Sequence, residues 1–307
     1  MQEHQHRLNF AVRAARSAGD LLARYFREDE LSSQLKPDGS TVTAADIEAE
    51  QLLRGLLTRE FPDYGIWGEE LGRVGPEKAS FWCIDPLDGT RWFGLGVPIF
   101  GTLIAFVERG EPTLGVIHFP IADETIYAAR GFGCWYRRQS GTPYQLHVKS
   151  IATLGNSVVS ASGIHGTMLR PGKRGEAYNL TDVARSAREF YFGGDCLQYA
   201  LLCRGKIQVA IDTIMQPWDI AALIPCVEEA GGVVAGLDGH RDDILRAGGL
   251  IAASNSSLLN EVVASLSECA VDPSPNTNAA GETERLDRWV GRDGRAQSVR
   301  LALQRHG

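Results

Sequence analysis

The 307-residue chain lacks any run of about 18 apolar residues, so no segment reads as a membrane-spanning helix. Met1 to Asn9 is polar and charged, without the apolar core of a secretory signal. Disulfide and zinc frameworks are missing too. Six cysteines stand at 83, 134, 196, 203, 226 and 269, with no Cys-x-x-Cys pair and no Cys/His cluster at zinc spacing. Most lie within apolar segments, which predicts buried, reduced thiols and a cytoplasmic location. Positive charge is short as well. A net charge of −7 argues against nucleic acid as the main partner, because such binding usually shows as a basic face. The seven histidines show no paired spacing, and no internal repeat is visible.

What is present suits an ordinary folded enzyme. Hydrophobic residues make up 44% and charged residues 22%, enough to bury a core without disulfides. Leu8, Val12, Ala15, Leu22 and Phe26 recur at helical spacing. Lys36-Pro37-Asp38-Gly39-Ser40 is a turn. Thr43, with Asp46 three residues on, reads as a capping box that opens a second helix. From Phe81 to Val148 strand signals dominate, separated by short Gly- and Pro-containing links, which predicts an antiparallel sheet. After about Ser150, strands over 157–161, 207–211, 232–234 and 250–253 alternate with helices over 177–187, 196–203, 220–230 and 257–266, which predicts an α/β half. The expected organisation is an N-terminal α+β domain over 1–150, a C-terminal α/β domain over 151–268, and a linker and tail over 269–307, either disordered or a loose helix.

The most informative run is Asp85-Pro86-Leu87-Asp88-Gly89-Thr90, at the end of the apolar stretch Phe81-Trp82-Cys83-Ile84. Carboxylate oxygens suit magnesium, which binds through few protein ligands plus substrate phosphate oxygens. Gly89 lets the backbone turn sharply beside a ligand. A helix starting near Thr90 would point free N–H groups at an anion. Strand end, metal ligands and phosphate-binding turn together describe a phosphoryl-transfer site. Asp and Gly also form plain surface turns. A calcium loop would need alternating acids and a closing Glu, and an aspartyl-nucleophile phosphatase would need Asp-x-Asp.

Three further segments complete the pattern. Trp67-Gly68-Glu69-Glu70 offers paired carboxylates, Pro217-Trp218-Asp219 opens a helix with another, and Thr43 to Asp46 places a hydroxyl and a carboxylate at a helix start. Gly68-Glu69-Glu70, Asp85 to Thr90, and Trp218-Asp219-Ile220-Ala221-Ala222 leading to Glu228-Glu229-Ala230-Gly231-Gly232 occur in the order found in the inositol monophosphatase family, which the chain resembles over roughly residues 8 to 265. The resemblance implies an αβαβα sandwich, an antiparallel-sheet half followed by an α/β half. It implies a magnesium-dependent phosphatase, with about two or three Mg2+ per site, acting as a homodimer on a small phosphorylated metabolite. By resemblance, Glu69, Asp85 and the Leu87 carbonyl hold one ion, and Asp85, Asp88 and Asp219 hold a second. Glu69 and Thr90 orient and deprotonate the attacking water, with Asp88 also catalytic. Glu69, Leu87, Asp88, Gly89, Thr90 and Asp219 contact the phosphate end.

The far end of the substrate is expected against Gly194, Asp195, Cys196 and Asp212. Inositol phosphatases of the family have Gly-Thr-Ala-Ala where this chain has Gly194-Asp195-Cys196-Leu197. The Gly-Asp pair followed by an aromatic resembles the histidinol-phosphate phosphatases, as do Gly96-Val97-Pro98 and Gly101 to Ala105. An acid there favours an ammonium and imidazole over a neutral polyol. The expected reaction is therefore L-histidinol phosphate to L-histidinol and phosphate. The alternatives are inositol 1-phosphate, a nucleotide such as 3′-phosphoadenosine 5′-phosphate or a broad range of phosphomonoesters, or a catalytically weak regulatory binding module. Arg91-Trp92-Phe93 departs from the family pattern, with Trp92 and Phe93 expected as lid or core residues. Trp218 is expected to pack and position Asp219.

Overall fold

In the computed structural model, residues 2–27, 33–35, 41–76, 79–172 and 177–267 are described, and residues 1–269 group as one unit. The expected turn at Lys36 to Ser40 and the tail over 269–307 lie outside the described residues. The chain opens with helix α1 (Gln2–Tyr25), a small antiparallel pair of strands β1 (Ser33–Leu35) and β2 (Thr41–Thr43), and helix α2 (Ala44–Glu60). The expected capping box forms. Asp46 Oδ2 accepts the Thr43 N–H at 2.8 Å.

An eight-stranded sheet follows. It comprises β3 (Gly65–Gly68), β4 (Gly72–Val74), β5 (Ser80–Asp88), β6 (Gly101–Glu108), β7 (Glu111–Phe119), β8 (Glu124–Ala129), β9 (Gly133–Arg138) and β10 (Tyr144–Leu146), in the order β10-β9-β8-β7-β6-β5-β3-β4. Pairing is antiparallel throughout except between β3 and β5. Helix α3 (Thr90–Gly94) links β5 to β6. The second sheet holds β11 (Val158–Ala161), β12 (Glu189–Phe192), β13 (Val209–Asp212), β14 (Val233–Ala235) and β15 (Leu250–Ala253), in the order β12-β11-β13-β15-β14. Its helices are α4 (Leu180–Ser186), α5 (Asp195–Cys203), α6 (Pro217–Ala221), α7 (Leu223–Glu229) and α8 (Ser256–Ser267).

Three apolar layers join these elements. One lies between α1, α2 and the first sheet, a second between the two sheets around α5, α6 and α7, and a third between the second sheet and α4 and α8. The result is the αβαβα sandwich expected. Strand β5 shows why its sequence is apolar without a break. Trp82 and Ile84 enter the first layer and Cys83 the second, so both faces are covered.

Strands β3, β4, β9 and β12 are additional to those the sequence predicts, and two expected elements change their bounds. The strand of Phe81 to Ile84 continues through the metal motif to Asp88. The helix expected over 220–230 is two helices. Pro225 has no N–H and its ring crowds the carbonyl four residues back, at Ala221, where α6 ends. No helix among the described residues is long and apolar enough to cross a membrane. The five described cysteines are buried free thiols.

Candidate active site

Strand β5 delivers the metal motif through a kink. Between Asp85 and Asp88 its register against β6 slips, three steps on β5 matching two on β6. Pro86 sits inside the slip. It cannot donate to the ladder, and its carbonyl accepts the Thr102 Oγ1 hydroxyl at 2.9 Å. Asp85 Oδ1 accepts the Leu87 N–H at 2.9 Å, which fixes that carboxylate. Gly89 then adopts φ +87°, and a Cβ built there would stand 3.1 Å from Asp195 Oδ2 and 3.4 Å from the Phe100 Cα. Helix α3 does begin at Thr90 but runs only five residues. Its dipole is correspondingly small, so the expected anion site rests on side chains and turn geometry more than on this helix.

Glu69 comes from the turn after β3, Asp85 from the kink in β5, and Asp219 from the first turn of α6. One carboxylate oxygen of each lies within 4.8 Å of the others. Asp219 is held by the Gln216 N–H, which donates to its Oδ2 at 2.7 Å. Asp88 faces the same cavity, and its Oδ2 accepts the Cys196 N–H at 2.7 Å. The Thr90 hydroxyl lies 3.0 Å from the Leu87 carbonyl oxygen and 3.1 Å from Asp46 Oδ1.

The electrostatics suit a divalent cation. Burial pushes Asp85 well above the usual carboxylate range, and the charges of Glu69, Asp88 and Asp219 push it further. Asp219 is raised by burial and by Asp88. Asp88 is raised by burial and by Asp195, against the stabilising Cys196 contact. A cluster of hard oxygen donors that repel one another in a half-closed cavity matches the ligand chemistry of Mg2+.

The cavity has a volume of about 440 Å³. It is lined by Glu69, Asp85, Leu87, Asp88, Thr90 and Asp219 together with Asp195, Asp212, Thr213, Ile214, Arg91, Trp92 and His165. Asp195 opens α5 at φ +38°, an uncommon conformation for a residue with a side chain. Burial raises its pKa, while the Arg91 charge and the Trp92 indole N–H favour its charged form. Asp212 ends β13, 7% exposed. Burial pushes it up to about 7, against N–H donors that include Ile214. Gly194 and Cys196 flank Asp195. Both are buried, and the thiol of Cys196 packs against Gly101.

Phe93 is core, stacked edge-on against Phe100, whereas Trp92 lines the cavity. Trp218 is half-buried and meets Trp67 edge-on with ring centres 6.0 Å apart. His165 was not singled out by spacing. It lies on the cavity wall, and Arg170 donates to its Nε2 at 2.9 Å. Asp46 was read as a helix cap, and it is also the partner of Thr90. The Asp-x-x-Asp run downstream gave no signal for that contact.

The family model described as "Inositol monophosphatase family" matches residues 3–271. The chain belongs to this family. It is a phosphoric monoester hydrolase, and members of the family are Mg2+-dependent. A histidinol-phosphatase of Chlorobaculum parvum is 38% identical over 257 residues, covering 84% of this chain and 95% of the relative. A histidinol-phosphatase of Mycobacterium tuberculosis is 36% identical over 259 residues, covering 84% and 97%. Among solved structures, an inositol monophosphatase from Zymomonas mobilis superposes with a TM-score of 0.73 at 32% identity, covering 86% of this chain and 98% of that one.

Proposed function

We propose that the enzyme hydrolyses L-histidinol phosphate to L-histidinol and phosphate, as a step of histidine biosynthesis. The observation that carries this reading is the pair of acids, Asp195 and Asp212, lining the same cavity as the Glu69, Asp85 and Asp219 carboxylates. They favour a substrate whose far end is cationic, because a charge-assisted hydrogen bond is roughly twice as strong as a neutral one. The names of the relatives at 36–38% identity support the same choice.

In this reading Glu69, Asp85, the Leu87 carbonyl, Asp88 and Asp219 hold Mg2+, about two or three ions per site. Bound there, the metal lowers the pKa of water and neutralises phosphate charge. Glu69 and Thr90 orient the attacking water, whose proton leaves toward these groups. The water oxygen bonds to phosphorus as the ester P–O bond breaks, and the departing alcohol oxygen takes up a proton. Gly89 allows the phosphate close to the backbone. Asp195 and Asp212 hold the amino and imidazole end, with Gly194 and Cys196 flanking Asp195 at that wall. In this reading residues 1–150 supply most of the metal and phosphate chemistry, and residues 151–268 supply recognition together with the metal ligand Asp219.

Arg91 favours a second reading. It stands beside Asp195 and offsets part of its charge, which would suit the neutral polyol of inositol 1-phosphate or a second anion. Phosphate release with Mg2+ from L-histidinol phosphate, inositol 1-phosphate and 3′-phosphoadenosine 5′-phosphate, measured side by side, decides the matter. Preference for either of the latter two overturns the first reading, and release from none of the three favours a binding module. We also propose a cytoplasmic homodimer. Support for pairing comes from Tyr191 and Phe192 on edge strand β12, 55% and 60% exposed.

A further inference from the structure

Helix α2 carries Asp46, Glu50 and Arg54 at intervals of four, and therefore on one face. Such a charged stripe normally faces water. Here Asp46 is 1% and Glu50 0% exposed, and the Arg54 side chain is 11% exposed. The stripe lies beneath the turn that follows β3. Glu50 Oε2 accepts the Glu70 N–H at 2.7 Å, and its Oε1 accepts the Leu71 N–H at 3.1 Å. Arg54 Nε donates to the same Oε1 at 2.8 Å, and Arg54 Nη2 donates to the Gly72 carbonyl at 2.5 Å. On the other side of the turn, a Cβ at Gly68 would collide with the Glu50 carboxylate. Glu69 stands between Gly68, against which the Glu50 carboxylate packs, and Glu70, whose N–H that carboxylate accepts.

Burying an ion pair is costly. Replacing one by packed hydrophobic residues is often neutral or stabilising. The pair at Glu50 and Arg54 is thus poorly explained by stability alone. The turn it grips carries the one carboxylate of the Glu69, Asp85 and Asp219 cluster that lies in a turn, not in a strand or helix.

We propose that Glu50, backed by Arg54, is a positioning residue for metal binding. It acts through the Glu70 and Leu71 amides to aim the Glu69 carboxylate at Asp85 and Asp219. Asp46, one turn earlier on α2, accepts from Thr90, so a single helix registers both groups that handle the attacking water. The inference rests on reading Glu69 as a metal ligand.

The test uses the full chain and Mn2+ alone as the probe, with binding measured by electron paramagnetic resonance and folding by circular dichroism. Partners that orient metal ligands typically account for roughly 10- to 100-fold in affinity. Glu50→Gln is expected to weaken Mn2+ binding by at least about tenfold with the fold intact. A purely structural role would lower the melting temperature and leave the affinity of the folded protein unchanged, and that result overturns the proposal. If Glu50→Gln does not fold, Glu50→Met/Arg54→Met removes both charges together. It should fold and show the same loss, and native Mn2+ affinity in it is equally fatal. Glu69→Gln runs in parallel. Weakened binding there with native binding in the Glu50 variants removes the positioning role alone, whereas native binding in Glu69→Gln removes the ligand assignment and the proposal with it.

Discussion

The Thr90 hydroxyl stands 3.1 Å from Asp46 Oδ1, a residue 44 positions earlier in the chain. A hydroxyl has one proton to donate and retains lone pairs to accept. With its proton directed at Asp46 or the Leu87 carbonyl, Thr90 would be left to accept a hydrogen bond from the attacking water of the proposed reaction.

Thr90→Val tests that arrangement with little change of shape. General-base assistance is typically worth about 10²- to 10⁴-fold. The kcat should therefore fall by about 10²-fold or more, with KM changing only a few-fold and circular dichroism unaltered. A kcat within about threefold of the parent would remove Thr90 from the mechanism.

Asp88→Asn addresses the metal motif itself. It keeps the side-chain volume and the acceptor for the Cys196 N–H, but loses a charge beside Asp85. Nearly all turnover should disappear while the protein stays folded. A folded variant with near-native phosphate release would sink the assignment of Asp88.

In the same cavity, Asp195→Thr should weaken kcat/KM for L-histidinol phosphate by about tenfold or more, since hydrogen bonds to charged groups contribute about 1.5–3 kcal/mol. Inositol 1-phosphate should lose far less. Equal losses on both substrates would mean that Asp195 only shapes the start of α5.

His118 gives stability a pH dependence. It is 2% exposed, lies 2.9 Å from Thr125 Oγ1, and is pushed down to about 4 from the usual 6.5, chiefly by burial and next by Arg16. A lowered histidine favours the neutral form in the fold. Its contribution is complete above pH 6.5 and is lost as pH falls toward 4, where the unfolded chain binds a proton that the folded chain refuses. That difference amounts to about 3 kcal/mol across the window. Urea melts at pH 7, 5.5 and 4 on the parent and on His118→Gln should show this slope only in the parent. The carboxylates titrate in both, so the comparison isolates the imidazole, and parallel slopes would refute the role.

Much of the candidate site is legible in the chain because its carboxylates sit in short, ordered runs. Asp85 to Thr90 fixes a turn by local chemistry, and Glu69 and Asp219 occupy runs of their own. What escaped were contacts between distant segments. Glu50 and Arg54 look like solvated helix charges until the turn after β3 is seen to lie over them. His165 stands alone in sequence and meets the cavity only through the loop after β11. Strand β9 was missed because Arg137 and Arg138 interrupt its alternation of Cys134 and Tyr136, although both apolar side chains are buried. The helix break at Pro225 was within reach, since a proline inside a helical pattern interrupts it. Helix α1 and strands β6, β7 and β8 are legible in the sequence because both faces or one full stripe are apolar.

Gly89 and Asp195 share a boundary. The space a Cβ would occupy at Gly89 lies 3.1 Å from the Asp195 carboxylate. The residue that shapes the phosphate end and the residue proposed to choose the substrate are therefore not separable modules. An engineer who retunes specificity with a larger side chain at 195 will press on the Gly89 turn and lose rate along with selectivity. Smaller or equal-sized replacements at 195, with glycine kept at 89, are the route by which this scaffold can accept a new alcohol without surrendering its chemistry.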